Sequence, residues 1–85
     1  MKLPVIKHLA RFAQERDEDF LLETVETIEN LTDCEALREE DIDVLGELLS
    51  NLYGAVEVAS EIQNGTPENE ALNFFMQRVI GAIDK

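Results

Sequence analysis

The chain has no tryptophan, one cysteine, one histidine, two prolines and four glycines in 85 residues. A single cysteine makes no intramolecular disulfide, which fits a reducing compartment. One cysteine and one histidine fall short of any Cys/His zinc set. The di-iron bundle site draws a Glu-x-x-His pair from each of two helices, and no such pair occurs. No run reaches the roughly 18 apolar residues of a membrane span, and no signal-peptide core is recognisable. The expectation is a soluble, cytoplasmic chain with no membrane role, in which the sequons at Asn30-Leu31-Thr32 and Asn64-Gly65-Thr66 are chance. Basic residues are scarce too: seven Lys and Arg stand against nineteen Asp and Glu, a formal net charge of -12. Gripping nucleic acid requires basic surface to neutralise phosphates, so direct nucleic-acid binding is disfavoured, as is attachment to anionic membranes.

The charge is unevenly placed. Lys2, Lys7, Arg11 and Arg16 lie in the first sixteen residues, whereas Glu15 to Glu47 contains fourteen acids and only Arg16 and Arg38 as bases. Two readings follow. A mildly basic first helix packs beside acidic neighbours in one bundle, or the acidic face steers a basic partner. Glu23, Glu26 and Asp33 form the candidate acidic face of the second helix.

Apolar spacing predicts four helices in one domain covering residues 1–85. The first runs from about Pro4 to Glu15, with proline at a position where a missing N–H costs nothing. Val5, Ile6, Leu9, Phe12 and Ala13 share its inner face, and His8 lies at the edge of that face as a hydrogen-bonded boundary residue. The second covers roughly Asp19 to Thr32, with Leu21, Val25 and Ile28 central and Phe20 and Leu31 flanking. The third begins near Glu39 and ends near Asn64, where Gly65 supplies a stop. The sharpest boundary is Thr66-Pro67-Glu68, opening a fourth helix that runs to about Ile83 with Leu72, Phe75, Met76, Val79 and Ile83 inward. The expected fold is an all-α antiparallel four-helix bundle with a long third helix. At ~1.5 Å per residue that helix spans roughly 36 Å against about 18 Å for the first. One short partner cannot cover it, and Val44, Leu48, Ala55 and Ile62 widen its apolar arc, so it calls for neighbours on several sides, a second chain among them.

Within the third helix, residues 42, 45, 49, 52, 56 and 59 form a core stripe, while Gly46, Ser50 and Gly54 step by four in a second stripe almost without side chains. Each interior glycine costs about 1 kcal/mol relative to alanine, so a close approach by a helix or ligand should offset it. Gly46, Ser50, Tyr53 and Gly54 are therefore candidate interface residues. Phe74 and Arg78 join them: Phe74 falls on the polar side of the fourth helix, with Arg78 one turn on and Gly81 nearby. Phe74 tucks under a loop or stacks with Arg78, or else belongs to a contact surface.

Chemistry is harder to find. Asp41-Ile42-Asp43-Val44-Leu45-Gly46 starts like an EF-hand loop, but leucine stands at position five and Leu52 where the bidentate glutamate belongs. Cys34 sits among Asp33, Glu35, Glu39 and Glu40, a setting that opposes thiolate formation. No catalytic, cofactor-binding or metal-binding residues are assigned, and the chain is expected not to be an enzyme.

Met1 through Leu9, the Gly46 to Gly54 stretch, and Ala71-Leu72-Asn73 through Ile83-Asp84-Lys85 resemble a family of small bacterial proteins, a domain of unknown function. The resemblance implies no catalytic residues. It implies companionship with a thioredoxin-like protein and a thiol peroxidase, which returns interest to Cys34. The leading expectation is a cytoplasmic, non-enzymatic accessory module that binds an unidentified protein partner through the third helix, the fourth helix or the acidic face, and forms a homodimer. The alternative is an acidic mimic that occupies basic nucleic-acid-binding proteins.

Overall fold

The computed structural model describes residues 2–83, without the side chains of Glu18 and of residues 80–83. The expected inward position of Ile83 and the placing of Gly81 near Phe74 fall outside the described side chains. The described residues form four helices and no strand: α1 (Leu3–Gln14), α2 (Glu18–Leu31), α3 (Glu39–Gln63) and α4 (Glu68–Ile83).

Local signals account for the boundaries. Pro4 lies in the first turn of α1. Asp41 Oδ2 accepts the Arg38 N–H (3.1 Å), satisfying a donor at the start of α3. α3 ends in a Schellman motif: Gly65, at φ +104°, donates its N–H to Ile62 O, and Thr66 N–H reaches Glu61 O. The Thr66 hydroxyl turns back to donate to Glu61 Oε2 at 3.3 Å. Within α2, the Thr24 and Thr27 hydroxyls donate to the carbonyls of Phe20 and Glu23, one turn earlier.

α1 and α3 make the most extensive pairing, α2 and α4 each pack on that pair, and among the described residues α2 and α4 do not meet. The core is divided accordingly. One cluster joins Ile6 and Ala10 of α1 to Ala55, Val58 and Ala59 of α3 and Ala71, Leu72 and Phe75 of α4. The other joins Leu21 and Val25 of α2 to Leu52 of α3. Leu9 and Ala13 pack against both. Four alanines in the first cluster keep the backbones close, and the molecule is only 18 Å through its thinnest dimension. Val58, which lies outside the widened apolar arc of α3, is fully buried because α4 covers that side.

Some expectations fail. Phe20, Leu31 and Ile42 are exposed rather than flanking or lining the core. His8 is exposed on α1 rather than at the edge of the buried face. Surface contacts tie the helices instead. Arg11 makes a two-pronged pair with Glu68 (Nε–Oε2 and Nη2–Oε1, both 2.9 Å), joining α1 to the start of α4, with Lys7 Nζ 3.9 Å from the same carboxylate. At the α1–α2 turn the Arg16 guanidinium lies 5.0 Å from the Phe12 ring centre and 5.5 Å from that of Phe20, while the two rings meet edge-on at 5.8 Å.

Candidate interaction groove

One face of α3 meets α4 across a shallow groove. Ser50, Tyr53, Gly54 and Glu57 recur at three- and four-residue steps and so lie on one side of α3; Phe75, Arg78 and Val79 line the other wall. The space between them is about 490 Å³ and opens widely to solvent. Gly54 sets its depth. A Cβ there would stand 2.8 Å from Phe75 Cζ and 3.0 Å from Ile6 Cδ1, so the Phe75 ring lies directly over the α3 backbone. Such an approach is what an interior glycine permits.

The rim is polar. Arg78 Nη2 donates to Glu57 Oε2 at 2.6 Å, bridging α4 to α3, and its guanidinium lies 6.0 Å from the centre of the Phe75 ring. The Tyr53 hydroxyl donates to the Glu29 carboxylate of α2, and that hydrogen bond is the main cause holding the phenol above its ordinary pKa. The floor is apolar and the edges carry an aromatic, an arginine and a carboxylate, the residue types that anchor protein contacts.

Of the six candidate interface residues, the structure brings Ser50, Tyr53, Gly54 and Arg78 together here. Gly46 is the correction: a Cβ on it would meet nothing within 4 Å, so the expected close approach does not extend to that residue. Gly46 and Gly54 are eight residues apart and differ by about 80° around α3, which turns Gly46 away from the helices that close on Gly54. Phe74 is exposed and stands outside the groove; Arg78 turns to Phe75 and Glu57 instead. Glu23, Glu26 and Asp33 are exposed along α2 and the turn after it, and Cys34 is exposed beside them. Among the described residues no group of three His, Cys, Asp or Glu side chains is placed to hold a metal ion. Nor is any helix among them long and apolar enough to cross a membrane.

Sequence reasoning missed Glu57 in the groove, although its place one turn beyond Tyr53 and Gly54 was a usable signal. Phe75 and Val79 were read as core only. Asn51 was missed as well. Buried at 5% exposure, it caps the amino end of α1 and donates through Nδ2 to Glu47 O at 3.1 Å.

A model of a family of unknown function, DUF6952, matches residues 1–84. The chain belongs to this family. Membership in DUF6952 agrees with the resemblance drawn from the two ends of the chain and the Gly46 to Gly54 stretch. No curated protein and no solved structure matches the chain.

Proposed function

We propose that this DUF6952 chain is a non-enzymatic interaction module that docks onto a protein partner through the α3–α4 groove. The observation that carries the reading is the Gly54–Phe75 approach, which lays an apolar floor between Tyr53 and Arg78. A partner side chain seated there would be desolvated by the floor and oriented by the rim, the arrangement in which a few contacts dominate affinity. The reading takes the four helices as an antiparallel bundle with a long third helix, in a cytoplasmic setting, and extends to a homodimer. It also extends to a link with a thioredoxin and thiol-peroxidase system, in which exposed Cys34 would be the residue to watch.

The test is capture by the immobilised chain, followed by washing at high salt. A partner held by the groove should survive the wash and be lost from the Tyr53→Ala and Arg78→Ala variants. Retention of the same partner by both variants would refute the groove.

A second reading, the acidic mimic of nucleic acid, draws on one further observation. The acids Glu23, Glu26, Asp33, Glu39 and Asp43 are all exposed, and Arg38 is the sole base between Asp17 and Glu47. It predicts capture of basic proteins that is lost steeply between low and high salt.

A further inference from the structure

The core is not filled everywhere. A cavity of about 150 Å³ lies where α1, the start of α2 and the second half of α3 come together. Protein interiors are close-packed, so a hollow of this size has a cause in the residues around it. Ala13 and Ala59 supply it, standing as methyls where longer side chains would reach across, and Leu21 and Val56 complete an apolar lining. Leu21 and Ala59 are buried. Asp17, Ser60 and Gln63 line the same space but are exposed, so they stand at its mouth.

The mouth favours a cation. Asp17 occupies the N-cap position of α2, yet its side chain makes no cap bond, and no base pairs with it among the described residues. The nearest bases are committed elsewhere. Arg16 lies over the Phe12 and Phe20 rings, Arg11 and Lys7 are held by Glu68, and Arg78 is held by Glu57. Ala13 stands in the last turn of α1 and Gln63 is the last residue of α3, so two negative helix ends face the one positive end of α2.

We infer that this cavity binds a small primary amine with an apolar body about the size of one ring. The body lies against Ala13, Leu21, Val56 and Ala59. The ammonium has three N–H groups, and the mouth offers three acceptors: the Asp17 carboxylate, the Ser60 hydroxyl and the Gln63 side-chain carbonyl. The volume suits a benzene ring and is too small for a drug-sized molecule. A lysine from a partner protein would bring an unbranched stem that leaves the hollow part-filled, forfeiting contacts along one side. An acid is disfavoured because no lining residue is basic. The net charge of -12 draws cations toward the molecule as a whole.

The site goes beyond the interaction-module reading and shares no lining residue with the α3–α4 groove, so either can fail alone. The test titrates the full chain with benzylamine, benzyl alcohol and benzoate while backbone amide NMR signals are followed. Benzylamine should bind with an affinity on the order of millimolar, as a ligand this small implies. It should move the signals of Ala13, Leu21 and Ala59 and leave those of Tyr53 and Arg78 in place. Benzyl alcohol keeps the ring without the charge and should bind roughly tenfold more weakly. Benzoate should not bind. Asp17→Asn should weaken benzylamine by roughly tenfold and leave benzyl alcohol unchanged. The variant should keep its melting temperature, since asparagine serves equally well at an N-cap. Equal affinity for amine and alcohol, signals moving elsewhere, or no effect of Asp17→Asn would overturn the inference. So would tighter binding of Nα-acetyl-lysinamide than of benzylamine, because a partner's side chain would then be the occupant.

Discussion

Phe75 Cζ lies 2.8 Å from where a Cβ on Gly54 would begin, and Ile6 Cδ1 closes the same space at 3.0 Å. Two helices therefore press on α3 at one residue, and both contacts come from buried side chains with little room to retreat.

Gly54→Ala should destabilise the fold by about 1–3 kcal/mol, because the overpacking outweighs the gain of about 1 kcal/mol in helix propensity. Gly46→Ala should do the reverse, stabilising by up to about 1 kcal/mol, since nothing stands within 4 Å of its Cβ position. Urea denaturation of the two variants provides the comparison. Equal shifts of the same sign would contradict the asymmetry.

Asn51→Leu should cost about 1–3 kcal/mol by leaving the Lys2 N–H without its acceptor. The loss should appear first in α1, as faster amide exchange near its amino end. Unchanged exchange there would show that another group takes over the cap.

Glu68 links α4 to α1, and its carboxyl is held below the ordinary value of 4.5, first by the Arg11 hydrogen bond. The charges of Arg11 and Lys7 act in the same direction, against partial desolvation. A depressed folded pKa contributes stability above the unfolded value and loses it as pH falls through the folded one. The melting-temperature gap between the wild type and Glu68→Gln should therefore be widest near neutral pH and narrow below about 4.5. A gap independent of pH would exclude this linkage.

Tyr53 titrates in the opposite sense. Its hydrogen bond to Glu29, then desolvation and the carboxylate charge, raise the phenol above 10.0. The associated stability is complete below that value and is lost as pH rises through the folded pKa. Glu29→Gln should bring the phenolate transition, followed by ultraviolet absorbance, back toward the ordinary range. An unmoved transition would mean that Glu29 does not hold the hydroxyl.

The helices were legible because their ends carry local chemistry. Pro4, Gly65 and the Thr66-Pro67 pair act within a turn of where they stand, and the observed boundaries fall within two residues of those expected. The groove was legible only in part. Gly46 and Gly54 are equivalent in spacing, and what separates them is that Phe75 and Ile6, on two other helices, reach only Gly54. Asn51 was invisible for the same reason, as a polar residue inside an apolar helix whose partner lies on another element. Phe74 and Phe75 were assigned to opposite faces correctly, but the choice of Phe75 and Glu57 by Arg78 depends on how α4 crosses α3. Periodicity states which face a residue occupies and is silent on which element covers it.

The lack of any contact between α2 and α4 among the described residues has a consequence for how the molecule breathes. Each outer helix is attached to the α1–α3 spine through its own cluster, so either can detach while the other stays in place. Hydrogen exchange should then resolve two separate sub-global openings above a slower whole-molecule unfolding. α2 would release Leu21 and Val25 in one opening, and α4 would release Leu72 and Phe75 in the other. A partner gripping α4 would slow the second opening and leave the first at its own rate.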